Sequence, residues 1–189
     1  MSKVELYVPK LEELWFYEKM MGDPDTMSYN AHYDLGFKEY HDDTGCIDFP
    51  REQWDGWYAD WVGQEPKRFY AYIKDAETGE WVGDVNFHKS YGGDWYDMGI
   101  VLYAPFRGRG YSAPALRLML AHAFEACGIA EIHNDFEVTR EAALKTHLAV
   151  GFKEAGVTDG VVTLVMTKED FEANRQQDGL DKQNICLIQ

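Results

Sequence analysis

The sequence predicts an α/β fold in which a mixed sheet of about six to seven strands is flanked by helices. Segments 68–75, 81–88 and 95–103 read as strands separated by Glu77-Thr78-Gly79-Glu80 and Gly92-Gly93, the turn chemistry of an antiparallel meander. From residue 112 onward helical and extended patterns alternate, which turns a meander into a mixed sheet with helices packed on it. Apolar residues make up 46% of the 189-residue chain and aromatics 15%, enough for one packed core.

Taken in order, 4–8 reads as a short strand closed by Pro9, and Leu11, Leu14, Trp15 and Glu18 follow helical spacing up to the Gly22-Asp23-Pro24 breaker. Segment 27–49 is rich in Tyr, Asp, His and Gly without a period, so it is irregular and suited to lining a site. Asp48-Phe49-Pro50 starts a helix on which Trp54, Trp57, Tyr58 and Trp61 form a stripe, a pattern that belongs to the core more often than to a binding surface. After the meander come a helix over 112–127, a strand over 129–138, a helix over 140–150, and strands near 152–157 and 161–167. The composition then turns polar. Residues 1–170 are expected to form one domain and 171–189 a loosely held tail.

The formal charge of −15 repels phosphate backbones and anionic lipid, which argues against nucleic acid and membranes as main partners and is compatible with a cationic ligand. No apolar run reaches the roughly 18 residues of a membrane span, and residues 1–10 lack a secretory layout, so the expected location is cytoplasmic. Cys46, Cys127 and Cys186 are odd in number and widely separated, and read as free thiols. The histidines show no ligand spacing, so no metal is expected.

The chemistry concentrates in Arg107-Gly108-Arg109-Gly110-Tyr111-Ser112, placed between a strand and a helix. Two glycines let backbone approach a ligand, Ser112 suits the N-cap and Pro114 the first helical turn. The free N–H groups at such a helix start make a site for a pyrophosphate, and Arg107 and Arg109 would add charge-assisted contacts. A P-loop is excluded, because no Lys-Ser/Thr pair follows the second glycine. A dinucleotide fingerprint is met only loosely, by Gly108, Gly110 and Ala113, and it should open a parallel unit rather than follow an antiparallel meander.

This loop resembles the Arg/Gln-x-x-Gly-x-Gly/Ala signature of the GNAT acetyltransferase superfamily, with Ser112 as the final small residue. The likeness extends upstream through Met98-Gly99-Ile100-Val101-Leu102-Tyr103-Ala104-Pro105 and downstream from Ala142-Ala143-Leu144 to Val150-Gly151-Phe152, covering about residues 4–168. The resemblance implies acetyl-CoA as co-substrate in a V-shaped opening between two parallel central strands. Its pyrophosphate would lie on the amides of Arg109 to Ser112, and its pantetheine arm beside Ile100, Val101 and Leu102. A homodimer is an expectation from resemblance alone.

An amine must lose its proton before it attacks a thioester. By resemblance Asp97 is the expected base, with Asp84 or a water relay in reserve. His147 stands where relatives carry a Tyr that protonates the leaving thiolate, and Arg140 where they carry an Asn on the cofactor; Arg140 could reach a phosphate instead. The acceptor side would draw on Trp15, Tyr29, Tyr33, Asp34 and Asp48, with Trp54 nearby, aromatic faces and carboxylates that suit a cationic amine. The implied activity is acetyl transfer to the primary amine of a small cationic acceptor. Two alternatives stay open: acetylation of a protein or peptide N-terminus, and a non-catalytic acyl-CoA-binding sensor.

Overall fold

A computed structural model describes residues 2–177 and 187–188. The strands are β1 (Val4–Tyr7), β2 (Arg68–Asp75), β3 (Trp81–Lys89), β4 (Tyr96–Leu102), β5 (Glu131–Glu137), β6 (Lys153–Thr158), β7 (Val161–Thr167) and β8 (Leu187–Ile188). They form one sheet in the order β6-β7-β5-β4-β3-β2-β1-β8. The helices are α1 (Trp15–Met21), α2 (Pro24–Met27), α3 (Trp54–Trp61), α4 (Ser112–Ala121), α5 (Glu141–Ala149) and α6 (Lys168–Gln177).

β2 is buried almost throughout because both of its faces are covered. Phe69, Ala71 and Ile73 join Val85 and Phe87 of β3 against Ala115, Leu116, Met119 and Leu120 of α4. Tyr70 and Tyr72 point the other way, among Phe16, Met20 and Met21 of α1, Met27 of α2, and Trp57 and Trp61 of α3. The tryptophan stripe of α3 is therefore core, as its spacing predicts. The β2–β3 turn closes at Gly79 with φ +76°, a conformation that glycine adopts without steric cost.

β4 and β5 are the parallel pair on which the molecule turns. β4 keeps its ladder with β3 along its whole length, and β5 keeps its ladder with β7. Between them only Tyr96↔Ile132 and Asp97↔His133 are paired. Beyond those positions the strands diverge, and the β5 side of β4 has no strand partner among the described residues.

The expected mixed sheet flanked by helices is present, and two tail residues add a short parallel strand to the edge of β1, pairing Leu6↔Leu187 and Tyr7↔Ile188. Two details differ from expectation. The boundary at residue 170 falls inside α6, whose Phe171 is buried against Phe124, so the folded part runs past it. Residues 178–186 of the expected tail lie outside the described residues. The helix expected over 112–127 is regular only to Ala121 and continues as one π-helical turn, His122–Ala126. Cys46 and Cys127 are free thiols, and Cys186 lies outside the described residues. No helix among the described residues is long and apolar enough to cross a membrane.

Candidate active site

The gap between β4 and β5 opens into a cavity of about 1100 Å³. Gly99, Ile100, Val101 and Leu102 form one wall and Asn134, Asp135 and Phe136 the other, with α5 above and the loop into α4 at one end.

That loop is shaped by backbone. Gly108 and Gly110 sit at φ +73° and +78°, where a side chain would be strained. The amides of residues 108–113 have no acceptor among the described residues, and the first intramolecular bond comes from the Ala115 amide to the Tyr111 carbonyl. Tyr111, not Ser112, is the N-cap; Ser112 is the first helical residue and lines the cavity with Gly108, Gly110 and Ala113. A row of free donors at a helix start, opening on a roomy cleft, fits a diphosphate.

The arginines of the loop are used differently from expectation. Arg107 lines the cavity, but its guanidinium donates to the carbonyls of Asp25, Thr26 and Leu102, so it clamps the end of α2 to the end of β4. The same clamp includes the Ala104 amide on the Thr26 hydroxyl at 2.9 Å. Arg109 lies over the Phe106 ring and does not line the cavity. Tyr111 turns away as well, its hydroxyl donating to Asp75 Oδ2 at 2.6 Å.

Asp97 is not at the site. It sits where β4 and β5 are still paired, opposite His133, and accepts from Trp95 Nε1 at 3.1 Å. Its distance follows from topology: a cleft begins only where pairing ends.

Asp84, the reserve choice, is 1% exposed on β3, opposite Val101 of the cavity wall. Tyr70 donates to its Oδ2 at 3.2 Å. Burial raises its pKa from 3.8 to about 7, against the Tyr70 hydroxyl and the Asn86 amide, which favour the anion. Gly99 makes room for that amide, since a Cβ there would come within 2.9 Å of Asn86 Nδ2.

Tyr29 reaches the cavity from the turn after α2, and its hydroxyl has no partner among the described residues. Burial pushes its pKa up to about 12, helped by the Asp84 charge and opposed by Arg140 and Arg107. Arg140 stands at the N-cap position of α5 and lines the cavity, its guanidinium 4.8 Å from the Tyr29 ring and 5.3 Å from that of Phe136.

His147 lines the cavity but has no proton to offer it. Its Nδ1 faces the Ala143 carbonyl at 2.8 Å, which can only accept, so Nδ1 carries the hydrogen. Nε2 then accepts from Asn134 Nδ2 at 2.9 Å. Burial holds the ring neutral by lowering its pKa. The expected acid is a neutral bracket between α5 and β5.

The remaining acceptor candidates stay apart. Trp15 is half exposed and packs on Trp81, while Tyr33 and Asp34 are exposed in the irregular segment. Asp48 pairs with His41 at 3.0 Å, and Trp54 is core. Sequence reasoning missed Asn134, Asp135 and Phe136, which carry no motif and become cavity walls only because two strands diverge, and it gave Gly99 no role within the stretch that carries the family likeness.

A model of the Acetyltransferase (GNAT) domain matches residues 6–153, which include the glycine loop, both diverging strands and α5. The chain belongs to the GNAT acetyltransferase family. Among solved structures, this GNAT protein is similar to a spermidine N-acetyltransferase from Vibrio cholerae in complex with CoA and spermine, with TM-score 0.69 and 15% identity over 90% of this chain and 98% of that one. It is also similar to a GNAT-family acetyltransferase from Bacillus anthracis, with TM-score 0.67 and 14% identity over 89% and 98% of the two chains. At such identities the likeness is one of fold. A comparison with curated proteins finds no match.

Proposed function

We propose that this acetyltransferase moves the acetyl group of acetyl-CoA to the primary amine of a small acceptor by direct attack, and that Asp84 receives the amine's proton. The carrying observation is the unpaired gap between β4 and β5, with free loop amides at one end and Tyr29 and Asp84 on the face of α1 and α2. The amides of 108–113 and Ser112 hold the diphosphate, and the free edge of β4 at Ile100, Val101 and Leu102 aligns the pantetheine arm as an added strand would. The thioester supplies an activated carbonyl. A donor fixed on the β4 edge suits the charge that develops on its oxygen.

An alkyl ammonium has a pKa near 10, so a base is needed at neutral pH. Asp84, held near 7, is a far stronger base than an exposed carboxylate. It lies behind the cavity wall, where Tyr70 donates to it, so the proton reaches it through a water relay. With both nitrogens of His147 committed, the departing thiolate takes its proton from water. Acetylation of a polyamine by a protein of the same fold supports an amine acceptor in general terms.

Calorimetry with acetyl-CoA and thiol release with a panel of amines test this reading. Gly110→Glu is expected to weaken acetyl-CoA at least about tenfold by setting a carboxylate on the anion site. Asp84→Asn is expected to lower kcat by about 100-fold and flatten the pH profile near 7, whereas Asp55→Asn, exposed on α3 and away from the cavity, does neither. Absence of acetyl-CoA binding overturns the reading. Tight binding without release on any amine would favour the sensor, since Asp84 is buried and does not line the cavity.

A further inference from the structure

Charge is distributed unevenly around Tyr29. Its hydroxyl lies in the field of one carboxylate, Asp84, and of two guanidinium groups, Arg107 and Arg140. Arg107 spends its donors on backbone carbonyls. Arg140 does not: among the described residues its one ionic neighbour is Glu137, at the outer limit of 4.0 Å, and its guanidinium lies 4.8 Å from the centre of the Tyr29 ring and 5.3 Å from that of Phe136 without a hydrogen-bond partner. A guanidinium set beside aromatic rings in a cavity, with its N–H groups uncommitted, is suited to receive a carboxylate with two hydrogen bonds. The cavity's own acids do not answer it. Glu141 is exposed and pairs with Lys145 at 3.5 Å, and Asp135 is exposed at the rim.

Arg140 also stands on the acceptor side of the gap. The diphosphate amides lie at the start of α4, packed on the face of Phe87 and Met119, whereas Tyr29 belongs to the segment after α2 on the opposite face. The Arg140 guanidinium touches both sides, Phe136 of the core under α4 and Tyr29 of the opposite core, and the nearer contact, with Tyr29, brings it to the side where Asp84 and its tyrosines lie.

We infer that the acceptor is a zwitterion, an amine carrying its own carboxylate, with Arg140 binding that carboxylate beside Tyr29 while the amine is directed toward Asp84. A free amino acid has this chemistry. A polyamine does not, since each further ammonium would meet a guanidinium where it needs an anion. The inference rests on the acetyltransferase reading above and narrows its acceptor.

The test compares amino acids with the amines left when their carboxylate is removed, tyrosine with tyramine and ornithine with putrescine, alongside spermidine. Thiol release gives kcat/KM for each, and calorimetry gives acetyl-CoA affinity separately. Acceptors with a carboxylate are expected to exceed their carboxylate-free partners by about 10- to 100-fold. In Arg140→Met that ratio should collapse toward one through KM for the acceptor, with partial recovery in Arg140→Lys. Because Arg140 is a third exposed, thermal melting and acetyl-CoA binding verify that the variants fold. Spermidine or tyramine matching the amino acids would overturn the inference and leave the acetyltransferase reading standing. A ratio that survives in Arg140→Met would also overturn it, as would a variant that loses acetyl-CoA affinity instead, which would make Arg140 a cofactor residue. Acetyl-CoA binding without release on any amine overturns both.

Discussion

Two buried side chains carry opposite pH signatures. Asp84 is neutral in both folded and unfolded chains below its ordinary pKa of 3.8, so it costs nothing there. As pH rises toward 7 the unfolded chain ionises it and the folded chain does not, which lowers stability by an amount on the order of 4 kcal/mol once both are ionised. Asp84→Asn removes the charge at every pH. Denaturant unfolding is therefore expected to show the variant more stable than the parent at pH 8 and close to it at pH 4, and parallel pH curves would contradict the burial argument. His147 works from the other side. Its pKa lies below the ordinary 6.5, so the folded chain resists protonation and stability falls as pH drops below 6.5. His147→Gln is expected to cost about 1–3 kcal/mol at pH 8, where its hydrogen bonds to Ala143 and Asn134 matter, and to fall off less steeply in acid. It should leave the pH–rate profile in place, because the ring has no proton to give.

At the scale of elements, the start of α4 is held from behind. Tyr111 caps the helix, and its hydroxyl bonds Asp75, which also accepts from the amides of Glu77 and Thr78 at 2.8 Å. The Tyr111 hydroxyl, then those two amides, hold Asp75 down to about 2, so this anchor stays charged through the working pH range. The β2–β3 turn thus orients the loop amides of 108–113. Tyr111→Phe is expected to raise KM for acetyl-CoA by about 3- to 10-fold, with kcat little changed, and calorimetry should report the same factor as lost affinity. Arg107 plays the matching part on the other face, where its grip on α2 fixes the turn that carries Tyr29. One loop therefore aligns both halves of the cleft, the end with the free amides through its backbone and the end with Tyr29 through a side chain.

Across the whole molecule, a chain of net charge −15 concentrates free N–H groups and two guanidinium groups around one cavity. Anion binding there is local, and the overall charge does not forbid it. Acetyl-CoA at 100 times its Kd is expected to stabilise the fold by about 2.7 kcal/mol, read as a rise in Tm that Gly110→Glu should largely abolish. The elements, the glycine loop and the family were legible in the sequence because each is a local pattern: apolar period, turn residues, and glycines between a strand and a helix. Ile100, Val101, Leu102, Gly108, Gly110 and Ser112 are found at the cavity for that reason. Which face Asp84 takes, where Asp97 falls along the cleft, how the nitrogens of His147 are committed and what Arg140 stacks on depend on partners as distant in sequence as Tyr29, Tyr70 and Asn134. No spacing encodes those meetings. They follow from where β4 and β5 cease to pair, and the end of a ladder between two strands is a property of the assembled sheet, set by contacts that neither strand's own residues contain.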